Sequence, residues 1–269
     1  MKRTVCFITL LCFFCVVAQD NKTFSTYMTL DDLKTIEIHD NLCVTLYPTY
    51  FNGLQMKGNR SLKHIIKWNY QNSTLKVFTV QENMFASSIE IILYVSEPKN
   101  IILSEKASIE ANNKVISNNL TIYSLGDSTY NLIVDCSDFQ LISDIAGTGN
   151  LSINAQNVKI DAKGTSAASM KIIADKVIVN QADKSMVSIK GKAKSLSATI
   201  ENKAKLSAWA LLAKDVYLHT LNSEDTEVFA ADRFKINGQG SGKIYVTGNP
   251  KKIDTIHLNK KTKIFYSSK

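Results

Sequence analysis

The chain has 269 residues, of which 45% are hydrophobic and 21% charged, and a formal net charge of +8. This supplies enough apolar material for a sizeable core and excludes a disordered polyelectrolyte. The positive charge is almost all lysine, with arginine only at Arg3, Arg60 and Arg233, so the arginine forks and basic clusters of a nucleic-acid binder are missing.

Residues 1–18 have the pattern of a secretory signal. Lys2 and Arg3 precede an apolar run from Val5 to Val17, and Val16-Val17-Ala18 ends in small residues, which predicts cleavage before Gln19. Loss of Lys2 and Arg3 takes the formal charge from +8 to +6. The run is too short for a transmembrane helix. Phe14 stands before Cys15 where a lipoprotein signal needs a small residue, so cleavage without lipidation is expected. No later run of 18 apolar residues occurs. The expectation is an exported protein of the periplasm or cell surface, with no transmembrane segment after cleavage.

Residues 19–98 read as irregular N-terminal coils and a cap. Strand-like runs fall at 35–39, 42–47, 54–57, 74–80 and 89–95, with Pro48 and Pro98 between them. Ile36, Leu54, Leu75 and Ile91 are 18, 21 and 16 residues apart, which predicts looser turns of the solenoid that follows. Tyr47, Tyr50 and Phe51 cluster around Pro48, and Trp68 accompanies Tyr70. Exposed rings of this kind stack on sugars or partners, or plug a solenoid end; the plug is the preferred reading for this region. Cys43 and Cys136 are the cysteines beyond the signal. Cys136 continues the phase of Leu132 and Val134 and is expected to point inward, which gives no support to a disulfide with Cys43.

Residues 99–251 repeat about every nineteen residues. Apolar residues recur at Ile101, Leu120, Phe139, Val158, Val177, Leu196, Val216 and Phe234, in steps of 19, 19, 19, 19, 19, 20 and 18. Each has an apolar companion two places on, and a second apolar pair such as Leu151 and Ile153 follows about ten residues later. A spacing of two is the period of a strand, and a fixed period near twenty marks a solenoid. The prediction is an all-β, parallel β-helix of two short strands per coil, with Ile101 under Leu120 and Leu120 under Phe139. Polar residues before the first strand, among them Asn119, Asp138 and Asn157, are turn formers. Glycines at Gly126, Gly147, Gly149, Gly164 and in the run from Gly238 to Gly242 are expected at corners of positive φ. Trp209 follows Ala208 by one residue and is expected to face outward. Residues 252–269 read as a partial ninth coil and cap, since Ile253 lies 19 after Phe234.

Several stretches together resemble a known family. They are Leu33-Lys34-Thr35-Ile36-Glu37-Ile38, Leu42-Cys43-Val44-Thr45-Leu46, Thr74-Leu75-Lys76-Val77, the run from Ile89 to Val95, and above all the run from Gly240 to Pro250. Over residues 24–250 the chain is similar to the auto-transporter adhesin head GIN domain family of exported Bacteroidota proteins. The resemblance implies a right-handed β-solenoid and supplies no catalytic residues. Ser104-Glu105, Asp183-Lys184 and Glu201-Asn202-Lys203 stand where the family repeats a Ser-Gly-Ser-Gly corner. Only 19 residues follow Pro250, too few for a membrane barrel.

No motif for metal, phosphate or dinucleotide binding is present, so no cofactor or metal site is expected. Asp135, Asp138 and Asp144, or Glu224, Asp225 and Glu227, could supply the carboxylate pair of a polysaccharide hydrolase or lyase. Coils this short leave no loops to wall a cleft, and no catalytic residue is assigned. The leading function is a non-enzymatic envelope or surface module for adhesion, glycan contact or scaffolding. Its partner would be a surface glycan or an envelope protein, with Tyr47, Tyr50, Trp68 and Trp209 as contact candidates.

Overall fold

The computed structural model describes residues 23–80 and 89–267; the predicted signal lies outside them. The first strands are β1 (Thr23–Thr29), β2 (Thr35–Ile38), β3 (Cys43–Pro48), β4 (Gly53–Asn59), β5 (Ile66–Gln71), β6 (Thr74–Thr79) and β7 (Ile89–Val95). They are followed by β8 (Asn100–Leu103), β9 (Ser108–Ile116), β10 (Asn119–Gly126), β11 (Thr129–Asp135) and β12 (Asp138–Ile145). The molecule is a β-solenoid of about nine coils spaced about 19 residues apart.

The N-terminal coils do not stack in chain order. β2 lies between β6 and β8, and β3 between β7 and β9, all parallel. The coil made last in this region, β6 with β7, therefore sits outside the coil made first. β4 runs antiparallel between β1 and β7, and β5 runs antiparallel on β6. The expectation that Leu54 continues the parallel ladder is thus corrected: Leu54 faces Leu93 and Met28 across antiparallel pairs. The link over 49–52 is too short to carry the chain round a whole coil, and a short link can only reverse it. That link is fixed by Asn52, whose Oδ1 accepts from the Ser96 amide at 2.9 Å and the Ser96 hydroxyl at 3.1 Å.

From β9 onward the coils stack in chain order, and the first break in register lies in β9 itself. Glu110 faces Asn131 and Lys114 faces Ile133, so Ala111, Asn112 and Asn113 stand opposite Leu132 alone. This bulge adds two residues to the coil. Ile101 consequently lies beside Ile122, and not under Leu120 as the nineteen-residue step predicts. Leu120, Phe139, Val158, Val177, Leu196, Val216, Phe234 and Ile253 then form one unbroken ladder. All but the terminal Ile253 are buried, each contributing roughly 1.5–3 kcal/mol.

The coils also change in kind. β13 (Thr148–Ala162), β14 (Ala167–Gln181), β15 (Met186–Glu201), β16 (Lys205–Leu221) and β17 (Thr226–Gln239) are single strands of 14–17 residues. The two short strands expected per coil are fused there, because residues such as Ala155 and Ala174 are small enough for the chain to bend without leaving the sheet. Gly126, Gly164 and Gly240 have positive φ, whereas Gly147, Gly149, Gly238 and Gly242 do not. Gly147 and Gly149 are small for another reason: the Ser124 side chain and the Tyr130 ring fill the space their side chains would need.

Three strands finish the rod: β18 (Lys243–Thr247), β19 (Lys252–Leu258) and β20 (Lys263–Ser267). Ile253 pairs with Phe234 and Ile264 with Ile244, which is the predicted ninth coil.

A candidate contact face

The outer face of the sheet built from β1, β4, β7, β3, β9, β11 and the first halves of β13 to β17 gathers most of the exposed aromatic residues. Within alternating strands, the residues between core positions must point out. Tyr94 stands between Leu93 and Val95, and Tyr47 follows Leu46; the register sets the two tyrosines side by side. Their ring centroids are 5.6 Å apart. Phe51, from the link after β3, stacks on Tyr94 at 5.3 Å, and Tyr50 meets Phe51 edge-on at 5.3 Å. Tyr27 of β1 closes the group against Tyr94 at 6.1 Å. Gly53 faces Tyr94 across the antiparallel pair; a side chain there would run into the Tyr27 hydroxyl. The Tyr94 hydroxyl donates to Gln55 Oε1 at 3.1 Å. The rings thus form a fixed platform with Tyr94 at its centre and Tyr50, 91% exposed, at its rim. Five aromatic rings in contact stiffen one another by offset and edge-on packing.

Beyond the platform runs a shallow groove of about 740 Å³. One edge is the outward ladder Glu110, Asn131, Asn150, Ser169 and Ser188, ending at Ser207. Its floor is low because the residues beneath include Gly149 and Ala168. Polar rungs recur about every 4.8 Å. Trp209, two residues after Ser207 and 58% exposed, stands at the far end of this face. Tyr94 and Trp209 lie on strands seven steps apart in the sheet, a span of about 34 Å at the usual strand spacing.

Trp68 does not join this face. It shares the side of β5 occupied by Ile66 and Tyr70, opposite Leu75 and Val77 of β6. That is the core side, where Tyr70 packs against the core while Trp68 stays 41% exposed. The end-plug reading is corrected for Tyr47, Tyr50 and Phe51, whose rings lie exposed in the outward platform. Sequence reasoning passed over Tyr27 and Tyr94. Tyr94 was legible, because Ile89, Ile91, Leu93 and Val95 fix its phase; Tyr27 was not, because its partner strand is antiparallel and its register follows no repeat.

Of the acidic residues weighed for catalysis, Glu224 is exposed and most of the others are held between coils. Asp135 accepts from Lys114 Nζ at 2.9 Å and Asn154 Nδ2 at 3.2 Å. Asp138 accepts from Asn119 at 3.2 Å and Asn157 at 2.8 Å. Asp144 Oδ1 accepts from the Ile145 amide at 2.9 Å. Glu227 accepts from the Ser207 hydroxyl at 2.7 Å and Asp225 from the Lys243 amide at 3.1 Å. Each donor comes from a neighbouring turn of the chain, apart from that of Asp144, so these carboxylates tie the rod together. Among the described residues no three His, Cys, Asp or Glu side chains gather as a metal site requires. Cys43 and Cys136 are both free thiols. Burial, followed by the charges of Asp135 and Asp138, pushes the Cys136 thiol up to about 12.

A family model described as "Putative auto-transporter adhesin, head GIN domain" matches residues 32–166 and 143–250. The chain belongs to this family. Solved structures share the fold of the head GIN chain at low identity. A protein described as a "putative adhesin" from Parabacteroides merdae aligns with TM-score 0.65 and 15% identity, over 92% of this chain and 97% of that one. A second so described, from Parabacteroides distasonis, aligns with TM-score 0.62 and 15% identity over 93% and 96%. A "putative lipid binding protein" from Parabacteroides distasonis aligns with TM-score 0.63 and 12% identity over 91% and 98%. No curated protein matches the head GIN chain. No helix among its described residues is long and apolar enough to cross a membrane.

Proposed function

We propose that this protein is an exported, non-catalytic surface module of the adhesin type, which holds an extended saccharide against the outer face described above. The observation that carries the reading is the platform around Tyr94. Tyr47, Tyr50 and Phe51 are held in an outward-facing ring cluster although their hydrophobicity would be better satisfied inside. Exposed apolar patches of this kind mark contact sites, and the C–H faces of sugar rings stack on aromatic faces. The groove supports the same reading, since its polar rungs repeat at a distance comparable with one sugar unit. The adhesin descriptions of the family and of two similar structures agree with a surface role. The inter-coil hydrogen bonds of Asp135, Asp138 and Glu227 favour binding over hydrolysis or elimination.

The test is affinity electrophoresis and calorimetry against a panel of neutral and acidic polysaccharides. The parent is expected to bind at least one of them, and Tyr50→Ala with Phe51→Ala to weaken that binding at least tenfold without lowering the melting temperature. Undiminished binding would remove the platform from the contact surface. Release of reducing or unsaturated ends, abolished by Asp135→Asn or Glu227→Gln, would make the protein an enzyme.

A further inference from the structure

The far end of the face carries a different chemistry. In β16 the pairing with β15 slips by one residue, so that Ala208 and Trp209 stand opposite Ile189 alone. On the other side the four residues from Trp209 to Leu212 stand opposite Phe229. A bulge of this kind redirects side chains out of the regular ladder. Here it lifts Trp209 and Leu212 over a depression of about 470 Å³ bounded by Phe229, Gly191, Lys171 and Lys190. Gly191 has φ +125°, and a Cβ there would strike the backbone of Ile172. Only glycine fits there, and its bare backbone forms part of the wall of the depression.

The lysines are the second observation. Lys171 and Lys190 are register partners on adjacent strands, and Lys192 stands two residues further on. Like charges set side by side across a ladder repel. Elsewhere the rod relieves such charge locally, as where Lys194 meets Asp175 at 2.8 Å. Among the described residues none of Lys171, Lys190 and Lys192 has an acidic partner within ion-pair distance. An apolar floor, an exposed indole face and uncompensated lysines at one rim fit a ligand with a flat C–H face and a carboxylate. An extended acidic peptide fits less well. β16 is paired on both sides, by β15 and β17, so no free strand edge is present here for a peptide to join.

We propose that the Trp209 depression is a subsite for a carboxylate-bearing sugar such as a uronic acid, with the ring on Trp209 and the carboxylate between Lys171 and Lys190. The proposal rests on the reading of this face as a saccharide surface and adds to it the class of sugar. Trp68→Phe leaves Trp209 as the sole indole, so its fluorescence reports the subsite. The probes are trigalacturonic acid, neutral galactotriose and an oligoglutamate of equal charge. Trigalacturonic acid is expected to shift Trp209 emission and to bind at least tenfold more tightly than galactotriose. Lys171→Gln with Lys190→Gln should abolish that preference. Lys99→Gln with Lys106→Gln, an equal charge change outside the depression, should keep the preference. An equal loss in that control, or equally tight binding of oligoglutamate, would overturn the subsite. A neutral saccharide bound through Tyr50 and Phe51 with Trp209 silent to the uronate would overturn the subsite alone. Failure of every saccharide to bind would overturn both readings.

Discussion

Tyr130 occupies the space that a side chain on Gly149 of the next coil would take. The two are register partners in parallel strands, and a Cβ on Gly149 would collide with the Tyr130 ring and carbonyl oxygen. The same inward ladder reads Ile109, Tyr130, Gly149, Ala168, Val187 and Leu206, so the largest member is offset by the smallest beside it. Gly149→Val is therefore expected to cost about 2 kcal/mol or more by overpacking. Tyr130→Val removes the ring but not the carbonyl, so the double variant should recover only part of that loss. Urea unfolding of the four-member cycle measures the coupling, and additive losses would show that ring and glycine are independent.

Val158 is buried between Phe139 and Val177 in the long apolar ladder. Val158→Asp places a carboxylate there without a partner, and a loss of roughly 4 kcal/mol or failure to fold is expected. A melting temperature within a degree of the parent would contradict the ladder.

The solenoid itself was legible in the sequence because burial imposes a period. From Leu120 to Phe234 every coil must present apolar residues at the same height, and the nineteen-residue step records that demand. Register failed where composition hides it: Ala111, Asn112 and Asn113 look like an ordinary polar corner, yet they form the bulge that moves Ile101 beside Ile122. The N-terminal order was hidden for another reason. Ile36 meets Leu75 and Ile101, pairings set by which strand fits between which, and nothing local to Ile36 announces them. Of the candidate contact face, Trp209 was legible as an outward residue, whereas Tyr47 and Tyr50 were contact candidates for which an end plug was the preferred reading. The ladder from Asn131 to Ser207 also keeps the nineteen-residue step, but polar residues carry no burial signal that would have drawn attention to it.

Asp161 gives the rod a dependence on acid. Burial opposes its charge, but hydrogen bonds from Asn180, Lys159 and Gln140 prevail and hold its pKa below the usual carboxylate value. A depressed folded-state pKa contributes stability above the unfolded value near 3.9 and loses it as pH falls through the folded one. Asp161→Asn should cost about 1–2 kcal/mol at pH 7, the range of a hydrogen bond to a charged group partly open to water. Urea midpoints at pH 7 and pH 3 should show that gap closing in acid. A gap of equal size at both would mean that the lost contact is not ionic.

The two thiols differ in reach. Cys43 is exposed, while Cys136 is half-buried and its thiol is pushed up to about 12. Since the thiolate is the nucleophile, iodoacetamide at pH 8 should label Cys43 in the folded protein and reach Cys136 only after denaturation. Peptide mass mapping distinguishes the sites, and rapid native labelling of Cys136 would contradict its packing.

The inverted order of the first coils sets a schedule on assembly. A chain delivered from its N-terminus presents β2 and β3 first, but the strands that flank them, β6 to β9, arrive up to 65 residues later, as in the contact of Asn100 with Thr35. Ile36 and Val44 therefore wait unburied while the regular coils have not begun, and no stable nucleus exists at the leading end. Once β8 and β9 close over them, every later coil can add in order of arrival onto a finished template. The same geometry acts as a clasp against force: tension on residue 23 cannot peel the first coil away until the coil of β6 and β7 outside it has been lifted.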